Sequence, residues 1–223
     1  SGPREWNALY QQNPVPEAGD LFKREWFKWY DELPTNLYFY GSSDFGVTPG
    51  SGDPTEHGIF GMSNTKDIFV ADWWSGQTSS DEWIDAILDM QDIWQTSRWF
   101  GEAGVIRRSI EPYLKKRMDE RKIYPSMEWL PSISSKDARA KVSFVGLAAN
   151  GKIHLPRKKQ WAVELLNELV RFSPGASTKD NKVDVCSLVG RGLQYMSAPT
   201  NSNIKNIDFY RQKKSKQRSA WSA

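Results

Sequence analysis

The spacing of apolar residues changes along this chain, and that change constrains its fold more than any other feature. Three runs are rich in aromatic and β-branched residues: 37–47, 55–62 and 66–74. A Pro-Gly-Ser-Gly-Asp cluster separates the first two runs and predicts a turn between them. From Ser80 onward, apolar side chains recur at intervals of four, three and four: Trp83, Ile87, Met90 and Trp94. The sequence therefore predicts an antiparallel three-stranded meander followed by an amphipathic helix.

The rest of the chain alternates short extended runs with helical periodicity. Further strands are predicted at residues 98–101, 127–130 and 152–155. Further helices are predicted near residues 106–117, from 136, after 156 and from 179 to 196. A meander followed by interleaved helices and strands indicates one mixed sheet flanked by helices. This order predicts an α/β domain over residues 37–198 and matches the ribonuclease H-like fold.

Composition excludes several function classes. Hydrophobic residues make up 39% of the chain, yet no stretch approaches the roughly 20 apolar residues that a membrane helix needs. The single cysteine, Cys186, cannot form an internal disulfide or a thiolate zinc site. The two histidines, His57 and His154, leave little for Ser-His-Asp chemistry or histidine-rich metal sites. Acidic residues must therefore carry any catalysis.

The two ends of the chain differ from its middle. Residues 1–36 combine turn-forming residues with aromatics, which predicts a linker that packs onto the domain. Residues 199–223 form a basic tail in which six Lys and Arg residues accompany one Asp. Such a tail can bind phosphates, although a solvated, mobile terminus is the more common explanation of a charge run.

Acidic residues stand at the ends of the predicted elements. Asp44 lies near the end of the first strand, among small residues that would let a ligand approach the backbone, and Glu102 follows the fourth strand. Asp180 and Asp184 share one face at the start of the last helix. Each acid alone is also explained by exposure to solvent or by favourable placement at a helix N-terminus.

Taken together, these acids predict a metal centre. Strand-end and helix-start carboxylates would converge at one sheet edge, where divalent cations relieve their mutual repulsion. Oxygen ligands favour Mg²⁺ or Mn²⁺ over zinc. Two such ions would activate water and stabilise the leaving oxygen in phosphodiester hydrolysis.

Several motifs follow one another in a recognisable order: residues 4–14, 41–44, 52–55, 136–140, 151–156 and 179–185. In this order they resemble the nuclease domain of the large terminase subunit of tailed bacteriophages, the DNA-packaging motor. The first looks like the segment that joins the family's ATPase to its nuclease. The next two resemble the strand bearing the first metal-binding acid and its hairpin. The last three resemble a Lys-x-x-Arg-Ala stretch, the strand after it and the closing acidic helix.

The resemblance implies a metal-dependent endonuclease that cuts concatemeric viral double-stranded DNA during genome packaging. It implies Asp44, Glu102 and Asp184 as principal ligands of two Mg²⁺ or Mn²⁺ ions, with Asp180 as an added acid. Two positions depart from the family: Glu102 stands where many members have Asp, and Asn181 stands where some have His.

The resemblance also implies partners. The chain has no G-x-x-x-x-G-K-[ST] motif and begins Ser1-Gly2-Pro3, so we expect the ATPase domain to lie upstream in the natural polypeptide. The small terminase subunit and the capsid portal are further expected partners, and the cytoplasm of the infected bacterial host is the expected location.

Other residues have competing interpretations. Four basic residues could line a path for DNA phosphates: Lys136, Arg139, Arg157 and Lys158. Solvated helix ends explain the last two equally well. We expect His57 to contact DNA or water and His154 to be structural. Trp73 and Trp74 at strand spacing, and Trp83 and Trp94 at helix spacing, are expected in the core.

Two other functions stay open. One is a glycoside hydrolase that uses Asp44 and Glu102 as a carboxylate pair. The other is a non-catalytic docking domain that binds DNA or the portal through the basic tail.

Overall fold

A computed structural model describes residues 21–46, 52–131, 138–173 and 180–199. Within these residues the strands are β1 (Lys28–Tyr30), β2 (Tyr38–Asp44), β3 (Thr55–Met62), β4 (Ile68–Gly76), β5 (Arg98–Glu102), β6 (Met127–Leu130) and β7 (Ile153–Pro156). The helices are α1 (Ser80–Trp94), α2 (Val105–Arg121), α3 (Ala138–Ala149), α4 (Gln160–Arg171) and α5 (Asn181–Gly192). Short 3₁₀ turns lie at Arg24–Trp26 and Leu193–Tyr195.

All of these strands join one mixed sheet in the order β1-β7-β4-β3-β2-β5-β6. β2, β3 and β4 pair antiparallel, which confirms the predicted meander. The other pairs, β2 with β5, β5 with β6, β4 with β7 and β7 with β1, are parallel. The predicted α/β class with a helix-flanked mixed sheet is confirmed.

The sheet carries a separate hydrophobic core on each face. On one face, α1 and α2 bury their apolar side chains against the sheet, and Trp83, Ile87, Met90 and Trp94 all lie in this core. On the other face, α3, α4 and α5 pack against side chains such as Phe60 and Val70. Ile59 and Phe60 alternate between the faces, so β3 is buried along its whole length. Among the described helices, none is long and apolar enough to cross a membrane.

Two elements differ from the sequence-based expectation. The predicted linker contributes β1 to the sheet and buries Phe22 and Phe27 in the core. A three-residue edge strand is too short to show a period, which is why the sequence did not reveal it. The last helix ends at Gly192 instead of Met196 and passes into the 3₁₀ turn at Leu193–Tyr195. After this turn, Tyr40 Oη donates to the Ser197 carbonyl and accepts from the Ser197 N–H, which attaches the segment to β2. The boundaries at residues 36 and 198 stay predictions, and residues 200–223 of the basic tail lie outside the described residues.

Gly41 allows β2 and β5 to pack beside each other. It pairs in register with Trp99, whose side chain is fully buried, and a Cβ at Gly41 would lie 2.3 Å from the indole ring. We expect Gly41→Ala to lower the free energy of unfolding by about 3 kcal/mol, because the indole has no free space into which to move. Urea unfolding measures this loss. The double variant with Trp99→Leu should lose less than the sum of the single losses, and simple additivity would contradict the proposed clash.

Candidate active site

The predicted acids lie where two neighbouring strands and a helix meet. Asp44 ends β2 and Glu102 ends β5, and the parallel register of these strands brings both ends to the same level. α5 packs across β2 and β3. Asp180 is the N-cap residue of this helix, and Asp184 lies in its first turn. The fold therefore gathers at one sheet edge the four acids that the sequence singled out.

Electrostatics show how closely these acids surround Asp44. Burial, together with repulsion from Asp184, Glu102, Asp180 and Glu56, raises the pKa of Asp44 to about 7. Near neutral pH the Asp44 carboxyl is therefore only partly ionised. The ionised form of Asp44 is unfavourable without a positive charge nearby, and a bound cation would supply that charge.

The donor chemistry fits a hard divalent cation. Every predicted ligand offers carboxylate oxygens, the donors that Mg²⁺ and Mn²⁺ prefer. Within the described residues, no three acidic, histidine or cysteine side chains already stand at the spacing that would hold a metal ion. The compatibility of this site with a divalent cation therefore rests on the charge and the donor type of the acids around Asp44.

The small residues before Asp44 serve packing and do not admit a ligand, so that expectation was wrong. Ser42 and Ser43 are fully buried. Ser42 Oγ donates to the Val185 carbonyl at 3.0 Å and so attaches β2 to α5. Ser43 Oγ accepts the Trp99 indole N–H at 2.7 Å, which attaches β2 to β5. These contacts hold together the elements that carry the acids.

His57 is also buried, and the expectation that it contacts DNA or water was wrong. Its Nε2 lies 3.0 Å from the Trp83 carbonyl, which can only accept, so Nε2 carries the proton. Its Nδ1 then accepts from Ser43 Oγ at 2.8 Å. Burial lowers the pKa of His57 to about 3, so the ring is neutral. His154 stacks on Phe69 with ring centroids 4.3 Å apart, in agreement with a structural role.

An ion pair that the sequence did not suggest lies beside the acids. Glu56 lies directly opposite Asp44 across β2 and β3, and its carboxylate is fully buried. Lys182, in the first turn of α5, donates from Nζ to Glu56 Oε1 at 2.7 Å. The available signal was an acid in a strand that continues as Gly58-Ile59-Phe60-Gly61-Met62, since a carboxylate buried in such a strand requires a partner.

The expected basic path does not assemble at the acids in the described part of the chain. Lys136 lies outside the described residues, and Arg139 belongs to α3 without a described side chain. Arg157 and Lys158 are exposed after β7, and Arg157 Nε lies 3.3 Å from Asp31 Oδ1. Because β7 is three strands from β2, these residues lie about 14 Å along the sheet from Asp44.

Comparison with known proteins adds evidence on the fold. The sequence matches no protein-family profile and no curated protein. The Thermus phage P74-26 large terminase nuclease domain superposes with a TM-score of 0.55 and 13% identity, over 82% of this chain and 100% of that one. The large terminase nuclease from thermophilic phage G20c, solved with bound magnesium, gives 0.55 and 13% over 79% and 98%. The chain has the fold of a large terminase nuclease domain.

The same fold occurs within longer proteins. The HK97 bacteriophage large terminase superposes with a TM-score of 0.55 and 12% identity, over 85% of this chain and 48% of that one. The G20c nuclease has also been solved with bound zinc, with a TM-score of 0.51 and 14% identity over 75% of this chain and 95% of that one. The described residues thus adopt the terminase-nuclease fold, and the match covers about half of the solved HK97 large terminase chain.

Proposed function

We propose that this chain is a divalent-metal-dependent endonuclease that hydrolyses phosphodiester bonds of double-stranded DNA. The observation that carries the proposal is the group of acids around the buried Asp44 carboxyl, whose pKa is raised to about 7 by burial and by repulsion from these acids. This group lies at the strand ends of a terminase-nuclease fold. Solved structures of a similar nuclease with magnesium and with zinc support the use of divalent ions.

The acids have distinct proposed roles. Asp44, Glu102 and Asp184 would hold Mg²⁺ or Mn²⁺, and Asp180 would add negative charge at the N-terminus of α5. Two bound ions would supply activation of a water molecule and stabilisation of the leaving oxygen. Asp44 would have to release its carboxyl proton to bind a cation, so its raised pKa would couple metal binding to pH. Glu102 reaches further than an Asp would from the same strand end.

The biological setting is part of the proposal. Its substrate would be concatemeric viral DNA, cut during genome packaging with little sequence preference, because backbone cleavage requires phosphate contacts and no base readout. An upstream ATPase domain, the small terminase subunit and the capsid portal would be partners in the cytoplasm of an infected bacterium. The match to about half of the solved HK97 large terminase chain supports this arrangement. A carboxylate-pair glycoside hydrolase would need only two acids, whereas four gather around Asp44.

Cleavage of supercoiled plasmid tests the proposal. We expect nicking or linearisation with Mg²⁺ or Mn²⁺ and none in EDTA. Glu102→Gln and Asp184→Asn should each lower the rate at least about 100-fold, because each removes a candidate metal ligand. Asp119→Asn, an exposed acid on α2, is the matched control and should cut at the wild-type rate. Undiminished cleavage in EDTA would contradict the proposal.

A further inference from the structure

A buried network joins four elements next to the candidate metal centre: β3, β4, α4 and α5. The Glu56 carboxylate, on β3, is fully buried and accepts from three donors: Trp73 Nε1 at 2.6 Å, Ser75 Oγ at 2.8 Å and Lys182 Nζ at 2.7 Å. Lys182 also contacts Glu168 of α4 twice. Its Nζ lies 3.6 Å from Glu168 Oε2, and its backbone N–H donates to Glu168 Oε1 at 2.8 Å.

Stability alone is a weak reason for this network. The cost of removing two charges from water offsets most of their attraction, and well-packed apolar residues would often serve as well. Glu56 also adds a carboxylate that raises the pKa of Asp44. We therefore expect the buried Glu56–Lys182 ion pair to contribute to the geometry of the site.

The network fixes the part of α5 that carries the candidate ligands. Lys182 lies between Asp180 and Asp184 in the chain, at the very start of the helix. Residues two apart on a helix point to different sides, so Lys182 can be held by β3 and α4 while Asp184 contributes to the site. Glu56, the other end of the pair, stands in register with Asp44. One ion pair thus links the first turn of α5 to the strand position opposite Asp44.

We propose that Glu56 and Lys182 are positioning residues that set the first turn of α5 so that Asp184 and Asp44 bind the same divalent ion. This inference rests on the proposed function. Glu168 acts with them, because it holds both the backbone and the ammonium of Lys182. Neither member of the pair is assigned contact with DNA or with the metal.

The variant Lys182→Met separates positioning from simple electrostatics. Loss of a positive charge beside a group of acids would, by electrostatics alone, strengthen Mn²⁺ binding. The positioning role predicts the opposite sign: at least tenfold weaker Mn²⁺ binding by calorimetry on the full chain. The double variant Glu56→Gln with Lys182→Met keeps the net charge of the pair and should also bind Mn²⁺ more weakly.

A matched ion pair away from the acids serves as the control. Arg117 Nε lies 2.8 Å from Asp85 Oδ1 and joins α2 to α1. Asp85→Asn should lower the melting temperature and leave Mn²⁺ affinity within twofold of wild type.

In cleavage assays, Lys182→Met should lower kcat and raise the Mn²⁺ concentration needed for cleavage, with the KM for DNA within about twofold of the wild-type value.

The outcomes distinguish the two proposals. Wild-type protein that binds no Mn²⁺ would overturn the proposed function. Wild-type protein that binds Mn²⁺, with Lys182→Met equal or tighter, would overturn only the positioning role. If Lys182→Met does not fold, Glu168→Gln replaces it, because Glu168 retains partial solvent access. About threefold weaker Mn²⁺ binding by Glu168→Gln is then expected, and unchanged binding would overturn the inference.

Discussion

Asp44→Asn is expected to abolish DNA cleavage and, in the same protein, to raise the melting temperature above pH 7. Cleavage should fall at least about 1000-fold, because the variant loses the carboxylate around which the other acids gather. Stability should rise because ionised Asp44 is buried among like charges, which raises its pKa to about 7. Asparagine has nearly the same shape and carries no charge. Function and stability therefore oppose each other at this position.

The pH window of the stability gain follows from the direction of the shift. An acid whose pKa is raised in the folded state binds its proton more tightly there than in the unfolded chain, where it titrates near 3.8. The cost of Asp44 is therefore absent below about pH 4, grows as the pH rises and is complete above about pH 7. The full shift corresponds to about 4 kcal/mol, and partial solvent access reduces the expected gain to about 2 kcal/mol.

Asp67 provides the matched control for Asp44. A hydrogen bond from Thr65 and the charge of Lys152 outweigh the effect of its burial and lower the pKa of Asp67. Asp67→Asn should therefore lose stability at pH 8, whereas Asp44→Asn gains it. Melting curves without metal between pH 4 and pH 8 measure both. Equal stability of wild type and Asp44→Asn at pH 8 would contradict the proposed repulsion.

Periodicity predicted the elements of this fold because burial repeats along the chain. β3 and β6 lie at Thr55–Met62 and Met127–Leu130, at the bounds expected from the sequence. The acids around Asp44 could be predicted as well, because strand ends and helix starts converge once the order of elements is known. Local pattern therefore suggested both the sheet and the edge where the candidate ligands lie.

The sequence could not reveal side-chain contacts between residues that only the folded chain brings together. Gly41 suggested an open approach for a ligand, yet it faces Trp99 on the neighbouring strand. Lys182 is an unremarkable helix residue until α5 packs on β3 and brings it to Glu56. The sequence indicates that His57 is an exposed side chain of a hairpin. Its burial could not be predicted, because it depends on the packing of α1, which carries Trp83, against the strand. Each error concerns a contact distant in sequence, which periodicity does not encode.

His57 should give the chain a marked loss of stability in acid, and this loss should be clearest in the Asp44→Asn background. Burial lowers the pKa of His57 to about 3, against 6.5 for an ordinary histidine. As the pH falls below 6.5, His57 therefore becomes protonated in the unfolded chain and stays neutral in the folded chain. The free energy of unfolding then declines by up to about 1.4 kcal/mol per pH unit until about pH 3. Asp44 acts with the opposite sign between about pH 4 and pH 7, so the two effects partly cancel in the wild type.

His57→Gln in the Asp44→Asn background isolates the histidine. The glutamine amide can still donate to the Trp83 carbonyl, yet it does not titrate. Between pH 6.5 and pH 4.5, the stability of the double variant should fall by about 2 to 3 kcal/mol less than that of Asp44→Asn, measured by urea unfolding. Nitrogen NMR should show the Nε2–H tautomer of neutral His57 throughout this range. Equal acid dependence of the two variants would mean that His57 is reached by protons in the folded state, which is incompatible with its place between Ser43 and Trp83.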